Sequence, residues 1–174
     1  MKNDIRIREM IDGDVEIISN AFLKQDWNKP ASQYVQYFQE SLEGKRTILV
    51  ADYDGEFAGY VTIVWKSDYP PFQAHGIPEI VDFNVLVKYQ RRGISNTLME
   101  TAEHYVAKCT DIVGIGVGLT TDYGAAQILY VKRGYIPDGL GVFQQGRYLK
   151  YGEQVQVDDD VTLYFTKRLN SVEK

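Results

Sequence analysis

Apolar positions recur with period two in some segments and three to four in others, and the two patterns succeed each other with no linker between them. Ile5-Arg6-Ile7-Arg8-Glu9-Met10 alternates and predicts a first strand. Asp12 or Asp14 offers an N-cap for a helix carrying Ile17, Ile18, Ala21, Phe22 and Leu23. Trp27-Asn28-Lys29-Pro30 breaks that helix, and residues 31–42 predict a second, with Tyr34, Tyr37 and Phe38 at helical spacing. Two β-rich runs, 47–53 and 57–65, flank Asp54-Gly55, a hairpin-turn dipeptide. A proline-bearing loop, 66–78, leads to a strand at 79–87. After Gly93, the residues Leu98, Met99, Ala102, Tyr105 and Val106 share one side of a helix, a stripe suited to packing on a sheet. An apolar strand at 112–117 and a helix at 125–133, ended by Gly134, follow. The remainder, 135–167, is a β-rich tail whose last run, 161–165, is expected to cover the sheet edge. The order β-α-α-β-β-β-α-β-α-β-β predicts an α/β protein with one mixed sheet and helices on both faces.

Composition narrows the function classes. At 174 residues the chain fits a single domain, 1–174, with a core of useful size. A net charge of −5 gives no support for a nucleic-acid-binding surface, which needs a basic patch. No apolar run reaches the length of a membrane span or signal-peptide core, and the lone Cys109 cannot form an internal disulfide. A reducing, cytoplasmic setting without a membrane partner is therefore expected. Cys109 reads as a partly buried structural thiol, because no histidine stands near it to activate it. His75 and His104 read as surface residues, and no metal site is expected. Asp158-Asp159-Asp160 reads as a charged turn, since it lacks the other ligands of a calcium loop.

The most chemical stretch is Val85-Leu86-Val87-Lys88-Tyr89-Gln90-Arg91-Arg92-Gly93-Ile94-Ser95, a β-branched run that breaks at a basic, glycine-containing turn and continues as a helix. A helix starting there leaves its first N–H groups unpaired at the positive end of its dipole, which makes an anion site. Gly93 would let a ligand approach the backbone. The segment Gln90 to Ser95 resembles the pyrophosphate-binding loop of the GNAT acetyltransferase superfamily, with Gln90 and Gly93 at two fixed positions and Ser95 departing from the third, usually Gly or Ala. About thirty residues later, Ala126-Gln127-Ile128-Leu129-Tyr130-Val131-Lys132-Arg133-Gly134-Tyr135 is similar to that superfamily's second block, Ala-x-x-Leu-Tyr-x-Lys-x-Gly-aromatic, at every fixed position. Two blocks in this order and spacing are far harder to reach by chance than one.

This resemblance implies a GNAT-like fold: a mixed, mostly antiparallel sheet flanked by helices, with a splayed strand pair that binds acetyl-CoA. It implies that the backbones of Phe83 and Val85 pair with the pantetheine arm as an added strand would. Gln90, Arg91, Arg92, Gly93, Ile94, Ser95 and Asn96 would then hold the pyrophosphate. It assigns Tyr130 to protonating the departing thiolate, a task that suits a phenol that stays protonated at neutral pH. Glu79 stands where some members carry a catalytic glutamate and is the leading base. Asp82, on the opposite face by strand parity, and a water chain are the alternatives. Where the family often has an asparagine that bonds the cofactor arm, this chain has Tyr123, which reads as a packing or stacking residue. The acceptor site of the family is built by the first two helices and the loop before the cofactor strand. Those segments supply Trp27, Tyr34, Tyr37, Asp68, Tyr69, Phe72 and His75, with Trp27, Tyr34 and Asp68 the leading substrate contacts.

The expected function is acetyl transfer from acetyl-CoA to the primary amine of a small molecule by direct attack. Aromatic faces and carboxylates in the acceptor segments suit a cationic amine. A protein or peptide amine is the nearer alternative, and a non-catalytic acyl-CoA-binding module the more distant one. Exposed strands of the tail could pair across a two-fold axis, so a homodimer is also an open expectation.

Overall fold

The computed structural model describes residues 4–170. In chain order its elements are β1 (Ile5–Glu9), α1 (Asp14–Leu23), α2 (Ala31–Leu42), β2 (Arg46–Tyr53), β3 (Glu56–Val64), α3 (Pro70–His75), β4 (Glu79–Val85), α4 (Ile94–Ala107), β5 (Ile112–Gly118), α5 (Gly124–Lys132), β6 (Ile136–Gln144), β7 (Arg147–Tyr148) and β8 (Thr162–Arg168). The strands form one eight-stranded sheet in the order β1-β2-β3-β4-β5-β8-β6-β7. All neighbours run antiparallel except β4 and β5. The mixed sheet with helices on both faces is as the sequence predicts.

Local chemistry explains most of the elements. Asp54 and Gly55 both take positive φ, 51° and 86°, which is the conformation that matches a two-residue turn to the twist of β2 and β3. The apolar stripe of α4 holds: Leu98, Met99, Ala102 and Val106 are fully buried against the sheet with Ile63, Val113 and Ile115. Burying each large side chain there contributes about 1.5–3 kcal/mol. A second core lies under α1 and α2, where Ile18, Phe22 and Tyr34 pack on Ile48, Val50 and Tyr60. Buried Glu103 of α4 accepts from Arg133 after α5 and from Lys167 of β8 and ties the three elements together.

Five details differ from the sequence expectations. The tail run does not cover the edge, because β8 lies inside the sheet between β5 and β6 and the edges are β1 and β7. The loop 66–78 contains α3, opened by Pro70 and Pro71 at its first positions, where proline's missing N–H costs nothing. The N-cap of α1 is Gly13; Asp14 is already helical, and its carboxylate accepts from the Ile11 N–H and from Arg8. The fourth strand stops at Val85 and passes into a 3₁₀ turn, Val87–Tyr89. Cys109 is exposed rather than partly buried, since α4 has ended two residues before it.

One face of β5 has no side chains where rings must pass. Gly114, Gly116 and Gly118 alternate along it, and a Cβ on Gly114 would run into the Phe72 ring of α3. A Cβ on Gly118 would lie 2.5 Å from the Tyr123 ring and one on Gly116 2.8 Å from Thr162. Tyr123 is thus a packing residue seated on the end of β5. Gly114→Ala is expected to lower stability by about 1–3 kcal/mol, the usual cost of overpacking, measured by chemical denaturation. An unchanged midpoint would show that α3 yields without cost.

Candidate active site

The site begins where two strands part. β4 and β5 pair only at Glu79 with Gly114 and at Ile80 with Ile115, and the Gly114 N–H donates to Pro78 O. Beyond Ile80 the two strands diverge and leave a wedge-shaped gap. A bulge in β4 starts the divergence. Opposite β3, Thr62 faces Val81 but Tyr60 faces Asn84, so three steps of β4 span two of β3. Asp82 sits in the bulge with φ 47°, a left-handed conformation uncommon for a non-glycine residue.

The bulge sets which groups meet the gap. The Leu86 N–H donates to Ala58 O, and in an antiparallel ladder bonded residues alternate. Asn84 therefore shares the direction of Leu86 towards β3, whereas Phe83 and Val85 turn their N–H and C=O groups to the gap. The same bulge reverses side-chain parity. Glu79, opposite Val64, and Asn84, opposite Tyr60, share the face of α1 and α2, and Asp82 joins them there by reaching the Tyr60 hydroxyl. The expectation that Glu79 and Asp82 occupy opposite faces is thereby corrected: an inserted residue cancels the alternation on which it rested.

At the open end of β4 the chain turns into α4. Arg91 and Gly93 adopt left-handed φ of 59° and 87°, an alternation that turns successive N–H groups towards one concave side. Gly93 is the helix cap and has no side-chain bond, and the Thr97 N–H is the one that returns to Gly93 O. The amides of Ile94, Ser95 and Asn96 precede it and have no intrahelical acceptor. A Cβ on Gly93 would find nothing nearer than 3.9 Å, so glycine is needed there for its φ and for backbone access, not for room within the fold. Ser95 lies half-buried in the first turn without interrupting the helix. Arg92 is held away from the loop: its Nη1 donates to the Tyr53 hydroxyl at 3.2 Å and its guanidinium lies 5.2 Å over that ring. Gln90 and Arg91 stay exposed.

Two candidate proton carriers are buried. Tyr130 is the buried residue of α5, 6% exposed, in the core that includes Val85 and Val117. Burial, and then nearby Tyr123, push its phenol above the ordinary value, which keeps it protonated. α5 is fixed to the end of β5 by Gln127, whose Nε2 donates to Gly118 O at 2.9 Å. Glu79 is 8% exposed at the closed end of the gap and accepts from the Ser67 hydroxyl. Burial raises its carboxyl, Ser67 lowers it, and Asp68 raises it again, with a net upward shift.

The acceptor-side residues named from sequence separate into two groups. Tyr34 is fully buried, and its hydroxyl donates to the Tyr60 hydroxyl, so it touches the site only through Tyr60. Trp27 is 40% exposed and stacks on Phe22 at 5.8 Å. Asp68 is exposed beside the Glu79 end, and Phe72 and Tyr69 are buried under α3. His75 is exposed on the outside of α3. Lys29, Gln33 and Tyr60, which no pattern in the sequence singles out, converge with Tyr37 and Asn84 on Asp82. The bulge is what gathers them, and nothing in a β-rich run marks a bulge. A separate cavity of about 910 Å³ lies between α1 and the β2–β3 hairpin, where Arg8 is already bonded to Asp14 and Asp52. Its lining also includes Leu86, Val87 and Lys88, which follow β4, but none of Phe83, Tyr130, Glu79 or Asp82.

Residues 14–135 match the family model described as the acetyltransferase (GNAT) family, a span that takes in the bulge, the loop, α4 and Tyr130. The chain belongs to the GNAT family. It is therefore an acetyltransferase that uses acetyl-CoA, and the unpaired edges, the free amides before Thr97 and the left-handed glycine fit an extended arm ending in a pyrophosphate. The GNAT fold is shared with solved structures at low identity. One is yncA from Salmonella typhimurium, a structure containing the cofactor acetyl-CoA, at 16% identity and TM-score 0.67, covering 98% of this chain and 96% of that one. Another is the ribosomal-protein-S18-alanine N-acetyltransferase from Escherichia coli, at 13% and 0.69, covering 98% and 97%. A third is a spermidine N-acetyltransferase chimera from Vibrio cholerae and hSSAT, at 14% and 0.67, covering 94% and 95%. At the level of sequence the chain matches no curated protein. Among the described residues no helix is long and apolar enough to cross a membrane.

The raised carboxyl of Glu79 gives a test of its environment in this GNAT protein. Its contribution to stability is fully present below the ordinary value of 4.5, where the group is neutral in both states. That contribution is lost as pH rises through the higher folded value, because the folded state resists the charge. Glu79→Gln is expected to flatten the fall of melting temperature between mildly acidic and mildly alkaline buffer. A fall as steep as in the wild type would place the shift elsewhere.

Proposed function

We propose that this acetyltransferase moves the acetyl group of acetyl-CoA to the primary amine of a small cationic molecule by direct attack. The observation that carries this is the wedge between β4 and β5, with Tyr130 on one side of the sheet and a carboxylate-bearing aromatic surface on the other. Phe83 and Val85 hold the extended arm along the free edge of β4. Their donors also polarise the thioester carbonyl. Gln90, Arg91 and the amides of Gly93 to Asn96 hold the pyrophosphate, while Arg92, committed to Tyr53, fixes the loop and adds long-range positive charge.

Tyr130 acts as general acid. The upward shift keeps the phenol protonated at neutral pH, so it stands ready as a hydrogen-bond donor to the departing thiolate. Glu79 accepts the amine's proton. Its upward shift brings a carboxylate closer to the range in which a base works at neutral pH, and Ser67 fixes its orientation. The acceptor enters from the face of α1, α2 and α3. Phe72 seated on Gly114 closes one end of that face, which favours a compact acceptor over an extended peptide chain. Tyr37, Tyr123 and Asp82 line the rest, and Trp27 and Asp68 flank it; this suits an ammonium group.

The test is calorimetric titration with acetyl-CoA, followed on the same sample by thiol release against polyamines, aminoglycosides, amino acids and short peptides. Saturable binding with release on a small cationic amine is expected. Release on peptides alone would move the acceptor to protein chains, and binding without release would make the protein a carrier or sensor. Tyr130→Phe is expected to keep acetyl-CoA affinity and slow turnover about 10²–10⁴-fold, the usual contribution of a positioned acid; full turnover would remove it from that role. Gly93→Glu places a side chain and a negative charge at a left-handed position before the helix. Loss of acetyl-CoA binding with the fold retained by circular dichroism is expected, and retained affinity would sink the pyrophosphate assignment.

A further inference from the structure

Asp82 is the most heavily bonded carboxylate of the acceptor face. Its Oδ2 accepts from the Tyr60 hydroxyl at 2.6 Å, the Tyr37 hydroxyl at 3.0 Å and Gln33 Nε2 at 3.0 Å. Its Oδ1 accepts from Asn84 Nδ2 at 2.7 Å and Lys29 Nζ at 3.2 Å. Three neutral donors crowd Oδ2 while Asn84 alone serves Oδ1, so Lys29 fills the remaining site of Oδ1 at the longest distance of the set and also donates to the Tyr60 hydroxyl at 3.3 Å. The Lys29 ammonium also lies 5.6 Å from the Phe22 ring centroid and 5.9 Å from that of Tyr60, within cation–π range. A carboxylate flanked by two aromatic faces is a receptor for an ammonium group, and this one is filled by the chain's own lysine.

We infer that Asp82, Tyr60 and Phe22 form the subsite for the acceptor's ammonium group and that Lys29 is its displaceable internal occupant. This deepens the acetyltransferase proposal and rests on it. Position supports it: Asp82 stands in the bulge that opens the gap, held in a left-handed conformation of the kind that persists where function requires it. Lys29 comes from the irregular segment between α1 and α2, which also carries left-handed Asp26 and 40%-exposed Trp27. The Lys29 side chain keeps 21% exposure, so the occupant already meets solvent at the rim of the second core. Exchange of one ammonium for another conserves the charge opposite Asp82 and both ring contacts, whereas an uncharged guest would strand the carboxylate. Charge selection follows from the exchange. The acceptor's apparent affinity is its intrinsic affinity multiplied by the fraction of molecules in which Lys29 has withdrawn.

The experiment is calorimetric titration of the full chain with n-butylammonium chloride, using wild type, Lys29→Met and Lys29→Arg, with acetyl-CoA binding and thiol release measured in parallel on the wild type. Lys29→Met keeps an apolar stem and removes the occupant; it is expected to bind n-butylammonium several-fold more tightly than the wild type. Lys29→Arg keeps the charge and is expected to show no gain. Asp82→Asn added to Lys29→Met is expected to abolish the gain, and if that double variant does not fold, the two single variants decide. Equal or weaker binding by Lys29→Met, an equal gain in Lys29→Arg, or a gain that survives Asp82→Asn would each overturn the inference. Thiol release by the wild type with no gain in Lys29→Met would sink this inference alone. Failure of the wild type to bind acetyl-CoA would sink the proposed function beneath it.

Discussion

Parallel pairing between β4 and β5 ends after two residues, and most of what the molecule can do depends on that early end. A sheet interior normally leaves no backbone polar group unpaired, because burying one without a partner is costly. Here the bulge at Asp82 turns β4 away while β5 stays bonded to β8 along its whole length. The result is a row of peptide groups in the middle of an otherwise closed sheet, available to a guest with the geometry of a strand. The same bulge swings a carboxylate onto the acceptor face, so one inserted residue both exposes the edge and supplies the charge beside it.

The two faces of the sheet divide the chemistry. Under α4 and α5 the packing is apolar apart from the Glu103 ion pairs, and it holds Tyr130 in a place where its proton is retained. Under α1, α2 and α3 the packing is built from tyrosines whose hydroxyls bond to one another and to carboxylates: Tyr34 to Tyr60, Tyr60 and Tyr37 to Asp82, Tyr69 to Asp138. Tyrosine supplies ring area and a donor together, which lets that face carry negative charge without abandoning a packed interior. Burial and the adjacent carboxylate hold the Tyr37 hydroxyl up at about 12, so it remains a donor to Asp82 across the working range.

Local rules were enough for the parts of the chain whose structure is local. The bounds of α2, the Asp54-Gly55 turn, the buried stripe of α4 and the glycine that ends α5 are each fixed by neighbouring residues in sequence. The two blocks around Gly93 and Tyr130 were legible for a different reason, their likeness to a family pattern. What escaped was non-local. Asp82 looks like one polar residue in an alternating run, and only the register against β3 reveals that parity reverses there. Tyr34 has the spacing of a pocket residue, but its outlet is blocked by Tyr60. Prolines in 66–78 signal a loop, yet two in succession at the first turn of a helix are equally good chemistry, and Phe72 needs the bare face of β5 to settle the matter. Arg92 belongs to the motif by position and to Tyr53 by contact.

The place of β8 has a consequence for how the molecule comes into being. Strands β1 to β5 can assemble in the order in which a ribosome releases them, each finding an earlier neighbour already made. β6 and β7 can pair only with each other at first, because the strand that joins them to β5 is synthesised last, and a spacer of irregular chain separates them from it. Until residues 162–168 emerge, one side of β5 is an open template, long-range closure is outstanding, and the nascent chain is exposed to pairing with the wrong partner. The strand that borders the cofactor gap is thus the one whose far edge is sealed at the final moment of folding, which makes the C-terminal strand a gatekeeper of maturation as well as a piece of the sheet.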